Sequence, residues 1–371
     1  MNDTGLTKRE GLVRAGLILT SLLVALLIAE TALQFAGRDD TVAKRSLHHP
    51  GRSYFFHCYP SNPHGELGPP PEVEGQDWHL FTMDDPPREL SIDLIHQTPH
   101  CTRYQMNRLG LRDREVSPAP APGAVRLAVV GDSFAYGEGV ATDQMLSRHL
   151  QAALGPKVEV INAAQPGLDA QAQTKWFPET VNNLQANRAL FVFLLNDITL
   201  SDGLKQQQDR INDLVNVRHD LLDSELAESW WSKLALPRLV ASAWAMSSVR
   251  SSTIEWYRAM YDPSVNGPNL ERLQLDLQKI SHSNPRKKAF IIYPLIERQG
   301  GEYPFTEVHR RVAEMAREAG FPVLDLTPAF DDVEVADLHV HPVDHHPNGR
   351  AHEIAAREIA TWLARLPGFL P

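Results

Sequence analysis

From residue 125 onward, continuous apolar runs alternate with longer segments that have helical periodicity. Five runs have the length and composition of strands that are buried on both faces, as the strands of a parallel sheet are. They are VRLAVVG (125–131), KVEVINAA (157–164), ALFVFLLND (189–197), KAFIIYP (288–294) and PVLDL (322–326). Amphipathic segments lie between or after them, at 142–154, 305–320 and 349–366. This alternation predicts a three-layer α/β fold with a central parallel sheet.

Residues 200–284 interrupt the alternation. They contain several segments with helical patterns and no convincing strand. We interpret them as a helical insertion between two strands, beside the carboxyl edge of the sheet, where substrates bind in α/β folds. The alternative interpretation is an appendage that only contributes packing.

The N-terminal region contains a segment long enough to span a bilayer, residues 15–37, whose first fifteen residues are all apolar or small. Lys8, Arg9 and Arg14 precede it, which favours a cytoplasmic N-terminus. We therefore predict a cytoplasmic tail (1–14) and a single-pass anchor in the cytoplasmic membrane, with the rest of the chain on the periplasmic side. A cleaved signal peptide is the alternative.

The predicted exported segment, 38–122, is rich in proline, histidine and aromatic residues and has short candidate strands. It ends in the proline-rich stretch SPAPAPG, so we predict that the α/β domain occupies residues 123–371. The segment holds both cysteines of the chain, Cys58 and Cys101. In an oxidising compartment such a pair is a candidate disulfide. Two buried free thiols are the alternative.

The charge balance excludes one class of partner. The chain has 46 acidic and 36 basic residues, a formal net charge of −10, and no long basic run. Nucleic-acid binding needs clustered Lys and Arg side chains, so nucleic acid is not expected as a partner. No cofactor is expected either, and no protein partner is indicated.

Polar or glycine residues follow each of the first three strands. Ser133, in GDSFAYGEG, lies where a following helix N-terminus can stabilise negative charge. Gly167 and Asn196 follow the second and third strands, and a backbone N–H and a side-chain amide there could be oxyanion donors. Each also has a simpler interpretation: Ser133 as a helix N-cap, Gly167 as a turn residue and Asn196 as part of a helix cap.

Four histidines and one aspartate lie within HPVDHHPNGRAHE (341–353), ahead of the last helix. In an extended segment, residues two apart point to the same side, so Asp344 could orient His346 and stabilise its charged form. A metal site with ligands from HVHPVDHH (339–346) is the alternative, but it leaves the residues after the first three strands without a role. The neighbouring histidines are expected to be solvated or capping residues: His339, His341 and His345.

Four blocks, in order across about residues 123–366, resemble the SGNH (GDSL-type) hydrolase superfamily: GDSF at 131–134, Gly167, Asn196-Asp197 and Asp344-x-His346-Pro347-Asn348. MNRLGLRDRE (106–115), together with the N-terminal anchor, looks like the membrane-anchored bacterial branch of this superfamily. The resemblance implies a flavodoxin-like α/β/α fold, with Ser133 as the nucleophile and His346 as the general base. It also implies an oxyanion hole made by the Ser133 and Gly167 N–H groups and the Asn196 amide. The family often places its acid three residues before the histidine, at Val343 here; Asp344, two residues before, matches a spacing that is also met.

The leading functional hypothesis is an extracytoplasmic esterase that acts through an acyl-enzyme on Ser133, with an ester-bearing glycan or lipid as substrate. An O-acyltransferase that passes the acyl group to a sugar hydroxyl uses the same intermediate and is the first alternative. A catalytically silent binding module is the second. A deep apolar tunnel would favour lipid. An aromatic groove would favour carbohydrate, with four candidate tryptophans: Trp230, Trp231, Trp244 and Trp256.

Overall fold

The structure is a computed structural model. It describes, in whole or at the level of the backbone, residues 21–22, 25–26, 29, 45–48, 54–59, 79–81, 88–89, 100–117, 119–223, 235–285, 287–298, 301–341 and 344–371. The chain forms two compact units, one of residues 1–41 and 206–255 and one of residues 42–205 and 256–371. Both larger sheets and the candidate site described below belong to the second unit, whereas the helical residues within 206–255 belong to the first.

Within the described residues, none of the helices is long and apolar enough to cross a membrane. The anchor predicted at 15–37 lies almost entirely outside those residues, so it stays a prediction.

Between residues 45 and 105, the described residues form a five-stranded antiparallel sheet in the order β4-β3-β1-β2-β5. The strands are β1 (Arg45–His48), β2 (Tyr54–Tyr59), β3 (His79–Phe81), β4 (Arg88–Glu89) and β5 (His100–Gln105). In the β2–β5 ladder, Cys58 lies directly opposite Cys101. Cys101 is disulfide-bonded, and Cys58 is the only other cysteine in the sequence.

We predict that Cys58 and Cys101 are bonded to each other in the exported protein. Closing a loop of this length should stabilise the folded state by about 3–4 kcal/mol, because the cross-link reduces the entropy of the unfolded chain. Alkylation of the denatured, non-reduced protein should label neither thiol, and prior reduction should make both reactive. Labelling of both cysteines without reduction would show that the bond does not form.

The predicted central parallel sheet is confirmed. Its strands are β6 (Val125–Gly131), β7 (Val158–Asn162), β8 (Arg188–Phe193), β9 (Lys288–Ile292) and β10 (Val323–Asp325). They pair in the order β7-β6-β8-β9-β10 with all neighbours parallel. This is the 2-1-3-4-5 order of flavodoxin-like sheets. Every residue of β6 is buried, including Arg126, the one charged residue of the run, which pairs with Glu159 at 2.7 Å.

The described part of the chain contains eight α-helices. They are α1 (Ser133–Tyr136), α2 (Leu146–Leu154), α3 (Ala170–Asn183), α4 (Asp202–Asp223), α5 (Ala235–Met260), α6 (Pro263–His282), α7 (Thr306–Glu318) and α8 (Gly349–Leu363). Three of them, α4 to α6, lie between β8 and β9, where the helical insertion was predicted. The helix predicted at 142–154 is divided, because Met145 has an extended backbone between a 3₁₀ turn (142–144) and α2.

Side chains of β6 alternate between two apolar layers, as the two-residue period of a strand requires. Leu127 and Val129 belong to the core that also contains the buried faces of α2 and α8. On the other face, aromatic rings pack in a chain: the Phe191 ring lies 6.3 Å from that of Phe177 on α3 and 5.5 Å from that of Phe290 on β9. Both faces of the sheet are therefore covered, and its carboxyl edge stays available for a site.

The connection from β6 to α1 can be made only by glycine. A Cβ atom on Gly131 would lie 2.5 Å from the carbonyl oxygen of Val192 and 2.9 Å from the Cβ of Ala135. Both neighbours are held in place, by β8 and by α1, so neither can move away at small cost. The close approach at Gly131 brings the start of α1, and with it Ser133, to the carboxyl edge of the sheet.

The MNRLGLRDRE stretch, which precedes the predicted domain start at 123, packs against the α/β domain. Arg112 and Asp113 are buried. The Asp113 carboxylate accepts a 2.6 Å hydrogen bond from the backbone N–H of Asn162, at the end of β7, and pairs with Arg148 on α2 at 3.3 Å. The stretch therefore contributes directly to the structure around the carboxyl ends of β6 and β7.

Candidate active site

Ser133 is the first residue of α1, directly after the strand that carries it to the sheet edge. Asp132 caps this helix: its side chain accepts a 3.0 Å hydrogen bond from the N–H of Phe134. The first N–H groups of a helix have no partner within the helix, so the Ser133 N–H points away from the turn as a candidate donor. Ser133 therefore lies at the edge of the sheet, and its own N–H is a candidate oxyanion donor.

His346 and Asp344 lie on a two-stranded antiparallel hairpin, β11 (His339–His341) and β12 (Asp344–Pro347). Asp344 and His346 are two apart on β12 and so share a side of the strand. The Asp344 carboxylate accepts hydrogen bonds from the His346 ring at Nδ1 and, at 3.2 Å, from the His346 backbone N–H. The extended backbone therefore brings the Asp344 carboxylate to the imidazole. Val343, the position three residues before the histidine, lies outside the described residues.

The Ser133 hydroxyl lies 3.0 Å from His346 Nε2 and 3.5 Å from the Asp132 carboxylate. The shorter contact has ordinary hydrogen-bond geometry and the longer one is weak, so the hydroxyl proton is directed to His346. With Nε2 as the acceptor, the ring proton of the neutral imidazole is on Nδ1, facing Asp344. The side chains of His346 and Asp344 are 20% and 5% exposed, so the pair is largely shielded from water. The structure thus contains a continuous Ser133–His346–Asp344 triad.

Gly167 and Asn196 lie on the loops that follow β7 and β8. Gly167 has a left-handed backbone, φ +76°, and is exposed. The Gln165 N–H, on the same loop, donates to the Gly131 carbonyl at 3.0 Å, which ties the loop to the end of β6. Asn196 is exposed, and its amide offsets part of the rise that burial causes in the pKa of the nearby Asp132 carboxyl. A side-chain amide has two N–H donors that could serve an oxyanion.

Asp197, next to Asn196, shapes the turn. Its carboxylate accepts a 3.0 Å hydrogen bond from the Leu194 N–H, and its carbonyl accepts from the Ala170 N–H at 2.8 Å. Asp197 is buried, and burial, followed by the negative charge of Asp132, raises its pKa well above the usual range. Burial likewise raises the pKa of Asp132 to about 6.

Glu138 is a functional candidate that the sequence analysis missed. Its carboxylate Oε2 lies 3.6 Å from His346 Nε2, the nitrogen that faces Ser133. Glu138 follows the nucleophile by five residues in GDSFAYGEG, between Gly137 and Gly139. Its position between two glycines was the available signal, since such a turn can fold back over the residue that begins it.

The neighbouring histidines differ from the expectation. His339 and His341 are buried, so the prediction of solvated or capping side chains was wrong for both. β11 is the inner strand of the hairpin, so the buried polar ring of His339 needs a hydrogen-bond partner inside the fold. That partner is the Ile296 carbonyl, at 2.7 Å. His345 is exposed, as expected, and stacks on His339 with ring centroids 4.4 Å apart.

The histidines that suggested a metal site do not lie together as a set of ligands. Within the described residues, one group of His, Cys, Asp or Glu side chains has ligand atoms within 4.8 Å of one another: Glu138, Asp344 and His346. Two of the three are members of the triad. His339, His341 and His345 are outside the group, so the HVHPVDHH stretch as a whole does not converge on one point.

Two of the four candidate tryptophans, Trp244 and Trp256, belong to the described residues. Trp256 is buried and its indole N–H donates to the Leu204 carbonyl at 2.9 Å, so it is a core residue and cannot line a groove. Trp244 is 63% exposed. Trp230 and Trp231 lie outside the described residues. The structure therefore corrects the prediction for Trp256.

No protein-family model and no curated protein matches the sequence significantly. Solved structures do match. One is a member of the lipolytic G-D-S-L family from Veillonella parvula, 14% identical, covering 66% of this chain and 100% of that one, with a TM-score of 0.36. The chain resembles the SGNH (GDSL-type) hydrolases. A lipase/acylhydrolase from Enterococcus faecalis is 17% identical, with coverages of 64% and 95% and a TM-score of 0.37.

An acetylxylan esterase from Geobacillus stearothermophilus is 16% identical, with coverages of 67% and 98% and a TM-score of 0.38. Membership of the membrane-anchored branch of the SGNH hydrolases stays a prediction.

Proposed function

We propose that the protein is an SGNH-type serine esterase that forms an acyl-enzyme on Ser133. The observation that supports this most is the continuous contact from the Ser133 hydroxyl to His346 Nε2 at 3.0 Å and from His346 Nδ1 to the Asp344 carboxylate. A nucleophile, a base within hydrogen-bond reach and a third group that orients the base are what nucleophilic acyl transfer needs.

In the first half-reaction, Ser133 Oγ forms a bond to the ester carbonyl carbon and its proton passes to His346 Nε2. The negative charge moves to the carbonyl oxygen, which the Ser133 and Gly167 N–H groups and the Asn196 amide would stabilise. The bond to the alcohol oxygen then breaks, and the proton on Nε2 passes to that oxygen. Asp344 keeps the imidazole oriented and stabilises its charged form throughout.

The second half-reaction repeats these steps with water. A water oxygen forms a bond to the acyl carbon and gives one proton to His346 Nε2. The bond between the acyl carbon and Ser133 Oγ then breaks, and the proton returns to Oγ. The carboxylic acid leaves and the free enzyme is restored. None of these steps requires a cofactor.

We propose an ester-bearing glycan or lipid as substrate and a location on the periplasmic side of the cytoplasmic membrane. The apolar segment 15–37, preceded by basic residues, supports the location. A reporter that is active only in the periplasm, fused after Pro371, is expected to be active. Activity of a reporter that works only in the cytoplasm would contradict this topology.

The test of the enzymatic proposal is covalent labelling with a fluorophosphonate, which reacts with activated serines. The wild-type protein should be labelled once, at Ser133, and a panel of acetylated sugars and short-chain esters should then identify the substrate class. Ser133→Ala should abolish the label, and His345→Ala should retain it as a matched control. A folded wild-type protein that is neither labelled nor active on any ester would instead support a catalytically silent binding module.

A further inference from the structure

A second carboxylate, besides Asp344, faces the general base. Glu138 Oε2 lies 3.6 Å from His346 Nε2, and the two side chains are 18% and 20% exposed. Asp344 contacts the other ring nitrogen, Nδ1. The imidazole therefore lies between two carboxylates, one of which is on the same side as the nucleophile.

The turn that carries Glu138 is held from several directions. The N–H groups of Gly137 and Glu138 donate to the Ser133 carbonyl at 3.1 and 3.2 Å. Gly137 and Gly139 both have left-handed backbones, with φ of 81° and 85°, a conformation that glycine adopts without strain. The position of Glu138 is thus fixed relative to the nucleophile itself.

Arg112, from the MNRLGLRDRE stretch, clamps the same turn. Its buried guanidinium donates to the carbonyls of Gly137 and Val140, and to that of Tyr136 at 3.2 Å. The Gly139 N–H donates to the hydroxyl of Tyr104, whose ring lies 3.6 Å from the Arg112 guanidinium carbon. These contacts hold the turn that carries Glu138, and they give the stretch upstream of the domain a direct connection to the active site.

The distance from Glu138 to His346 indicates how the carboxylate acts. At 3.6 Å it is outside ordinary hydrogen-bond range, whereas Ser133 Oγ at 3.0 Å is within it. Glu138 therefore leaves the Nε2 lone pair to the serine. A full negative charge at that distance still favours a positive charge on the ring.

We propose that Glu138 is a positioning residue of the esterase, whose charge stabilises the imidazolium of His346 each time Nε2 takes a proton. This inference rests on the proposed function. In the first half-reaction the Ser133 O–H bond breaks and an Nε2–H bond forms, so the positive ring arises 3.6 Å from Glu138. The same charge arises when Nε2 takes the proton of the attacking water.

The other titratable groups near His346 are placed differently. Asp344 acts on Nδ1, and the Asp132 carboxylate, 3.5 Å from the Ser133 hydroxyl, also interacts with the charge of His346. His352 is buried on α8, and burial lowers its pKa to about 3, so it stays neutral over the useful pH range. Arg112 stays protonated throughout. Glu138 is the carboxylate that lies 3.6 Å from Nε2 itself.

The test is Glu138→Gln, which keeps the size of the side chain and removes its charge. We expect kcat/KM to fall about tenfold. The acidic limb of its pH profile should move to lower pH by about half a unit to one unit, because the charged His346 ring loses a stabilising negative charge that is partly screened by solvent. Removal of Glu138 also lowers the pKa of Asp132, whose negative charge favours the imidazolium and so limits the size of the shift. Where no ester is yet known, the rate of fluorophosphonate labelling against pH gives the same measurement.

Asp143→Asn is the matched control, because it removes one exposed carboxylate five residues further along and should change neither the rate nor the pH profile. Complete labelling of Glu138→Gln at long times, with an unchanged melting temperature, would show that the variant is folded. A limb that stays in place, or moves to higher pH, would overturn the inference even if the rate falls. An inert wild-type protein would instead count against the proposed function.

Discussion

Ser133→Ala and His346→Ala are each expected to lower turnover by about 10⁴- to 10⁶-fold, while the protein stays folded. The hydroxyl and the imidazole are 3.0 Å apart and act as one unit, since neither activates an ester attack without the other. The double variant should therefore be little worse than either single variant. Turnover of an ester by the purified variants, measured beside wild type, checks both expectations.

Two neighbouring variants give this experiment its controls. Asp344→Ala should cost less than His346→Ala, because an imidazole that keeps its place retains part of its function without the carboxylate. His345→Ala, one residue away and exposed, should change turnover little. Equal damage from His345→Ala and His346→Ala, or full turnover by Ser133→Ala, would contradict the serine mechanism.

The metal interpretation leads to the opposite expectation. It requires that histidines of the HVHPVDHH stretch matter as ligands and that chelators abolish turnover. In the serine mechanism chelators should have no effect on turnover. His339→Ala should lower the stability of the fold more than the rate of turnover, since the ring is buried against the Ile296 carbonyl.

The sequence was most informative where a local pattern determines the structure. The apolar run at 125–131 became a strand with all seven residues buried, because a strand inside a parallel sheet has no polar face. The two-residue spacing of Asp344 and His346 placed their side chains together, because β12 is extended. In both cases the period of the backbone alone fixes the result.

It was least informative where long-range packing decides. The burial of His339 depends on a hairpin that folds inward and on a carbonyl 43 residues earlier in the chain. Trp256 looks like a groove residue in isolation, but its indole donates to Leu204, which is 52 residues away. Glu138 reaches His346 only because Arg112 and the glycine turn hold it there. No spacing rule connects these partners, so the sequence alone could not reveal them.

Asn196→Ala is expected to lower kcat by about 10²- to 10³-fold, the usual cost of removing one oxyanion donor. The amide follows β8 at the carboxyl edge of the sheet and has N–H donors for the developing oxyanion. That charge exists only in the transition state, so KM should stay close to the wild-type value while kcat falls. Steady-state kinetics on a single ester separates the two parameters.

Asn183→Ala, which removes an equally exposed amide at the end of α3, should leave kcat unchanged and serves as the control. Because Asn196 is exposed, its loss removes little packing, and the melting temperature should hardly change. A large rise in KM would show that the amide binds the ground state and not the oxyanion. A loss in kcat below tenfold would leave the backbone N–H groups of Ser133 and Gly167 as the donors that matter, and the assignment of Asn196 to the oxyanion hole would be wrong.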